Sequence, residues 1–205
     1  MMGAVAEDLG LAPSSGMEKR GEGASQATLD DVLRRLTALE GKIAANTTED
    51  RISLIVFSGS LDRMIAAFVL ASTAAASGMQ VEMFFTFWGL AALRDHHKSV
   101  KKDWLSRMFG WMLPRGMKDL PLSTMNMGGA GPVMIRQIMK KKRFSSLEEM
   151  LSMCAEFGVK IFVCDMSREV MGISADELID YPHLHYCGAA SFLEKASGSR
   201  ISMFL

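Results

Sequence analysis

Cys164 is the best placed of three cysteines that could act as nucleophiles in this chain. It ends the apolar run 159–164, which has the length of a buried β-strand. Open α/β sheets bind ligands at the carboxyl ends of their strands, so a thiol at this position faces a ligand crevice. Ser167 is a candidate N-cap of the following helix, and both that helix terminus and Arg168 favour the reactive thiolate. The pattern predicts a nucleophile, although an inert buried cysteine would occupy the same position.

The other two cysteines are weaker candidates. Cys154 falls on the apolar face of a predicted helix, which is typical of a core residue, but that helix leads directly into the strand of Cys164. A role as a second thiol therefore stays open. Cys187 lies near a turn and is interpreted as structural. His183, His185 and Cys187 alternate along the chain, but this spacing matches no recurrent zinc motif, so we predict no metal site.

The loop Ser58-Gly59-Ser60 follows the first apolar run and resembles a phosphate-binding turn in composition. It has one glycine and neither the G-x-G-x-x-G nor the G-K-[ST] pattern, so it is a weak nucleotide signal. A tight turn that caps a helix explains it equally well. Gly59 and Ser60 are kept as supporting site residues, and a small-ligand or nucleotide-binding module is kept as an alternative function.

Composition limits the class of protein. The chain has 205 residues, of which 49% are hydrophobic and 22% charged, enough for one globular domain with an appendage. Its 23 bases balance 23 acids, which removes a global electrostatic argument for nucleic-acid binding. Three cysteines do not make a disulfide scaffold, and no apolar stretch reaches the length of a spanning helix. The sequence therefore predicts a soluble protein of the reducing cytoplasm.

The chain divides into three predicted parts. Residues 1–27 are rich in Gly, Ala and Ser and predict a flexible leader. Residues 28–50 predict an amphipathic helix and a linker. Residues 51–205 alternate apolar strands with capped helices, one of them opened by the capping box of Ser146 and Glu149. This rhythm predicts a doubly wound α/β domain, flavodoxin-like or Rossmann-like, with a mainly parallel sheet of about five strands.

Residues 94–143 differ in kind from the rest of the predicted domain. They carry twelve bases against three acids, and seven of the 18 methionines of the chain. We interpret them as an insertion with a basic face and a methionine-rich apolar face. This surface is either simply solvated, or it binds an acidic partner or a membrane surface. No nucleic-acid-binding module is recognisable, so nucleic acid is not expected as a partner.

Several short segments, taken in order, carry a resemblance to a known family. They are FSGSLD at 57–62, MFFTFWGL at 83–90, LSTMNMGGAGP at 122–132, CDMS at 164–167, MGI at 171–173 and GAASFL at 188–193. From residue 51 to 205 the chain resembles the DsrE/DsrF/DsrH-like family, which includes the sulfur-relay protein TusD. Within it, the chain is similar to the subgroup often labelled "peroxiredoxin family protein". The chain has no Pro-Thr-Cys motif, so peroxide reduction is the weaker enzyme hypothesis.

The resemblance implies a small α/β protein that assembles into homo-oligomers and passes sulfane sulfur as a cysteine persulfide. In TusD-like proteins the sulfur-bearing cysteine lies eight residues before a glycine and a hydrophobic residue, and Cys164 with Gly172 and Ile173 matches this position. The subgroup often carries a cysteine at the position of Cys154, which implies a possible second thiol. We therefore expect a sulfur carrier or sulfurtransferase that needs no cofactor. Its partners would be sulfur donor and acceptor proteins or small sulfane-sulfur compounds.

Overall fold

The protein is described here by a computed structural model that covers residues 18–45, 49–98, 100 and 104–205. The chain forms two compact units, Met1–Thr47 and Thr48–Leu205. The described part of the first unit is helix α1, Glu18–Ala45, which confirms the predicted N-terminal helix. The helix begins before the expected Thr28, because the segment from Glu18 onwards is rich in helix-forming Glu, Ala, Lys, Arg and Gln. Residues 1–17 of the predicted leader lie outside the described residues.

The described residues of the second unit form five strands and six α-helices. The strands are β1 Glu49–Val56, β2 Gln80–Phe85, β3 Lys160–Cys164, β4 Leu184–Cys187 and β5 Ser199–Phe204. The helices are α2 Leu61–Ala76, α3 Trp104–Met112, α4 Ala130–Lys141, α5 Leu147–Glu156, α6 Asp165–Val170 and α7 Ala189–Ser197. Four short 3₁₀ helices lie between them, at Phe87–Leu93, Met117–Asp119, Met127–Gly129 and Ala175–Glu177. No helix within the described residues combines the length and apolar character that a membrane crossing requires.

The sheet confirms the predicted doubly wound architecture. Its strand order is β4-β3-β2-β1-β5, and all four pairings are parallel. The chain builds outwards from β1 to β4 and then returns past β1 to β5. Because crossovers between parallel strands are right-handed, this reversal places α7 on the opposite face of the sheet from α2 and α5. The capping box at the start of α5 is also confirmed, since Ser146 Oγ accepts from the Glu149 amide and the Glu149 carboxylate accepts from the Ser146 amide.

Strand β4 is absent from the elements that the sequence predicts. It has only four residues and lies at the edge of the sheet, and its middle residues His185 and Tyr186 are exposed. An edge strand is often short and partly polar, so it lacks the continuous apolar pattern of β1, β2 and β3.

The two faces of the sheet carry hydrophobic clusters of different size. The large cluster lies between the sheet and helices α2 and α5. The small cluster lies under α7 and consists of the buried side chains Phe84, Phe162, Cys164 and Phe192. Phe192 of α7 stacks on Phe84 of β2 with ring centroids 4.6 Å apart. Cys164 therefore belongs to the α7 face and lies at the carboxyl end of β3.

One base of the predicted insertion has a structural role. Arg94 is buried and forms an ion pair of 3.2 Å with the buried carboxylate of Glu177. The same guanidinium donates to the carbonyl oxygens of Gly110, Leu113 and Pro114. A buried charge requires such partners, and removing one of them leaves the other uncompensated. Arg94 thus fixes the end of α3 to the domain and does not contribute to the basic surface.

Candidate functional site

The site is built around Cys164, whose side chain is 1% exposed. Cys164 ends β3 and is also the N-cap residue of α6, which starts at Asp165. The prediction of Ser167 as the N-cap is therefore wrong, because the helix begins directly at the strand end and Ser167 is its third residue. This position directs the Ser167 side chain back towards Cys164 and not towards a free backbone amide.

Two buried hydroxyl groups form a chain of hydrogen bonds that ends on the sulfur of Cys164. Ser167 Oγ donates to Cys164 Sγ at 3.2 Å, and it lies 2.8 Å from Thr86 Oγ1. Since the single hydroxyl proton of Ser167 is directed at the sulfur, Thr86 must be the donor in the second bond. Hydrogen bonds donated to an ionised acceptor are stronger than those to a neutral one. These two bonds therefore place a hydrogen-bond donor at the point where negative charge on this sulfur would develop.

Arg168, predicted to support Cys164 by its charge, makes its contacts elsewhere. Its guanidinium donates to the carbonyl oxygen of Ile173 at 3.2 Å and lies 3.5 Å from the Asp165 carboxylate. It also lies over the ring of Tyr186 in β4, 5.9 Å from the centroid. These contacts hold α6 against the edge of the sheet. Arg168 therefore acts on Cys164 indirectly: it holds α6 in place, and α6 carries the Ser167 hydroxyl that donates to Cys164 Sγ.

The structure does not bring Cys154 together with Cys164. Cys154 is fully buried on the face of the sheet that α2 and α5 cover, whereas Cys164 is on the α7 face. Its carbonyl oxygen accepts from the Val159 amide, which places it at the amino end of β3, at the far end from Cys164. Burial raises the pKa of the Cys154 thiol to about 11, so it is protonated at neutral pH. These observations describe a core residue.

Cys187 is the thiol that the structure places next to Cys164. The two residues are register partners on the neighbouring parallel strands β3 and β4. Partners of this kind have Cα atoms about 4.8 Å apart and side chains on the same face of the sheet. Cys187 is partly exposed and packs against the small cluster that contains Cys164. Burial raises the pKa of the Cys187 thiol, and negative charge on Cys164 raises it further.

Gly59 and Ser60 lie apart from this site. Their loop follows β1, and β2 separates β1 from β3, a distance of about 10 Å across the sheet. The Ser60 hydroxyl pairs with that of Ser58 at 2.9 Å, and a Cβ on Gly59 would lie 2.6 Å from the carbonyl oxygen of Trp88. The glycine therefore permits close packing of this loop against the 3₁₀ helix Phe87–Leu93, and the two border a separate cavity of about 410 Å³.

The histidines near β4 make aromatic contacts. His185 lies 5.3 Å from the ring of Phe162, and His183 lies edge-on to Tyr181 at 6.2 Å. Within the part of the chain that the structure describes, no three His, Cys, Asp or Glu side chains converge in a way that could hold a metal ion.

Residues 48–204 match the model of the DsrE/DsrF/DrsH-like family. The chain belongs to this family. Among its relatives, the Bacillus subtilis protein named "Uncharacterized protein YrkE" is 39% identical over 156 residues, which cover 76% of this chain and 96% of that protein. The sulfur carrier protein DsrE2 of Allochromatium vinosum is 35% identical over 161 residues, 77% of this chain and 99% of its own length.

Two residues of the site in this DsrE-like chain are missed by sequence reasoning. Thr86 directly follows β2. A polar residue at the carboxyl end of a buried strand is a signal in the sequence that could have indicated a site residue. Cys187 ends the alternating segment 183–187, of which Leu184–Cys187 forms β4. Neither signal is sufficient alone, because the contact with Cys164 depends on which strands are neighbours and in which register they pair.

The hydroxyl chain predicts a measurable effect on the reactivity of Cys164. Ser167→Ala removes the donor to the sulfur, worth about 1 kcal/mol, so the rate of alkylation of Cys164 by iodoacetamide should fall about five-fold. Peptide mass mapping would follow the modification at Cys164 alone. The matched control is Ser53→Ala, since Ser53 is also fully buried and bonds Ser199 at 2.8 Å in another part of the sheet. An unchanged rate in Ser167→Ala, or an equal fall in Ser53→Ala, would show that the hydroxyl chain does not activate the thiol.

Proposed function

We propose that this protein is a sulfur carrier that holds sulfane sulfur as a persulfide on Cys164. The observation that supports this function is the buried hydroxyl chain of Thr86 and Ser167 directed at Cys164 Sγ. An inert core cysteine has no need of two buried hydroxyl groups, because a neutral thiol is a weak hydrogen-bonding group. The relationship to DsrE2, which is named a sulfur carrier protein, agrees with the proposal.

The loading step is a substitution at sulfur. The Cys164 thiolate attacks the terminal sulfur of a polysulfide or of a donor persulfide. The sulfur–sulfur bond of the donor breaks as the new bond to Cys164 Sγ forms, and the donor leaves with the electron pair as a thiolate or a shorter polysulfide. The sulfane sulfur keeps its oxidation state, so the step requires no oxidant, reductant or metal. Delivery to an acceptor thiol repeats the same exchange in reverse.

The surroundings of Cys164 suit a bound persulfide. The small cluster of Phe84, Phe162 and Phe192 excludes water from one side of the sulfur. A buried anion requires hydrogen-bond donors, and the Ser167 hydroxyl supplies one. The partners that follow from this chemistry are small sulfane-sulfur compounds and proteins that carry an acceptor or donor thiol. Homo-oligomer formation remains a prediction from the resemblance.

The proposal predicts that stable sulfur loading depends on Cys164. The reduced protein is incubated with polysulfide, freed of excess reagent, and weighed by intact mass spectrometry. Wild type should gain one sulfur atom that a reductant removes, whereas Cys164→Ser should retain at least ten-fold less. Cys154→Ala is the matched control and should load as wild type does, because Cys154 is on the other face of the sheet. Normal loading of Cys164→Ser would contradict the proposal.

Helix α3 supports a second candidate function, recruitment to a membrane surface. Four large apolar side chains of this helix are exposed: Trp104 by 68%, Met108 by 48%, Trp111 by 80% and Met112 by 66%. Their spacing places them on one helical face. The segment 94–143 around them is strongly basic in sequence. Exposed tryptophans flanked by bases are suited to the interface of a membrane that contains anionic lipids.

This second function predicts selective binding to anionic vesicles. The protein should sediment with vesicles of mixed phosphatidylserine and phosphatidylcholine, and not with phosphatidylcholine alone. The double variant Trp104→Ala/Trp111→Ala should bind at least ten-fold more weakly, because it removes the two largest exposed apolar groups. Phe157→Ala, which changes an exposed aromatic residue at the end of α5, should bind like wild type. Equal binding to neutral vesicles, or no loss in the double variant, would remove this candidate.

A further inference from the structure

The burial of Cys164 limits which molecules can exchange sulfur with it directly. Its side chain is 1% exposed and lies in a cluster with Phe84, Phe162 and Phe192. A small polysulfide can reach such a thiol during local opening of the structure. The thiol of a partner protein is attached to a bulky backbone, and it must approach along the line of the breaking sulfur–sulfur bond. A second, more exposed thiol next to Cys164 would remove this obstacle.

Cys187 has the required position. It is the register partner of Cys164 at the carboxyl end of β4, and its side chain packs against the same small cluster. Strand β4 is at the edge of the sheet, so Cys187 has a neighbouring strand on one side only. It is also the cysteine of this chain that is not fully buried. It therefore lies beside the buried thiol and is also accessible from the solvent.

We propose that Cys187 is the transfer thiol of this protein, through which sulfane sulfur passes between Cys164 and the thiol of a partner protein. This inference rests on the proposed function of Cys164 as the persulfide site. It replaces Cys154, which the sequence had suggested as the second thiol, because the sheet lies between Cys154 and Cys164.

The internal step balances without a co-reactant. The Cys187 thiolate attacks the outer sulfur of the Cys164 persulfide, and a bond forms between that sulfur and Cys187 Sγ. The bond to Cys164 Sγ breaks, and its electron pair stays on Cys164 as a thiolate. The proton that Cys187 loses to become a thiolate is taken up by the outer sulfur of the persulfide anion and stays on that sulfur during the transfer, so the pair carries one negative charge before and after the step. A partner thiolate then attacks the exposed persulfide of Cys187 by the same exchange.

The surroundings of the two sulfurs assign them different roles. Cys164 Sγ accepts a hydrogen bond from Ser167, whereas no described residue donates one to Cys187 Sγ. Burial also raises the pKa of the Cys187 thiol; the charges of Cys164 and Asp165 raise it further, and Lys195 opposes them. A persulfide anion is thus better stabilised on Cys164. Sulfur is therefore held mainly on Cys164, and a smaller fraction of it is on Cys187 during transfer.

The test compares acceptors of two sizes with Cys187→Ser. Wild type, Cys187→Ser and the control Cys154→Ala are loaded with polysulfide and freed of excess reagent. Each is mixed with glutathione or with a single-cysteine variant of thioredoxin, and the loss of sulfur is followed by intact mass. We expect all three proteins to load equally. Transfer from Cys187→Ser to the protein thiol should be at least ten-fold slower than from wild type, while transfer to glutathione should change less than three-fold.

The outcomes separate this inference from the proposed function. Equal transfer to the protein thiol from Cys187→Ser and wild type would overturn the role of Cys187 and leave Cys164 as the carrier. A wild type that loads no sulfur would instead overturn the carrier function itself. Rapid alkylation during transfer gives a second measurement, which does not depend on the folding of a variant. Wild type should then show a persulfide on the Cys187 peptide as well as on the Cys164 peptide, and its absence from Cys187 would contradict the relay.

Discussion

The parallel register of β3 with its two neighbours is the constraint on which the candidate site depends. Phe85 of β2 pairs with Val163, so Thr86 follows at the level of Cys164, and Cys164 itself pairs with Cys187 of β4. Each of these residues is then at the carboxyl end of its strand. A shift of one residue in either pairing would turn a side chain to the other face of the sheet. The hydroxyl chain and the thiol pair both follow from this register.

Much of the fold could be predicted because its signals are local. The continuous apolar runs of β1, β2 and β3 and the capping box of Ser146 and Glu149 each depend on residues close in sequence. Two features could not be predicted in the same way. Strand β4 owes its existence to pairing with β3, and the start of α6 at Asp165 depends on where that strand ends. Both depend on tertiary contacts. The local sequence pattern therefore predicted the start of α6 too late in the chain and did not predict β4.

The same distinction between local and tertiary signals applies to the candidate site. The position of Cys164 follows from the end of an apolar run, which is visible in the sequence. Its neighbours do not follow, because closeness along the chain differs from closeness across a sheet. Cys154 precedes the strand of Cys164 directly but lies on its opposite face, whereas the more distant Cys187 lies beside it. Arg168 is likewise close to Cys164 in sequence, but its guanidinium contacts the Asp165 carboxylate and the Ile173 carbonyl oxygen.

The central claim, that Cys164 carries the sulfur in a site built to hold it, is tested most directly by a crystal structure of the protein loaded with polysulfide. Our account predicts one additional sulfur atom bonded to Cys164 Sγ, with the Ser167 hydroxyl within hydrogen-bonding distance of the persulfide. An unmodified Cys164 in a protein whose mass shows one bound sulfur, or an additional sulfur on Cys154, would contradict the account.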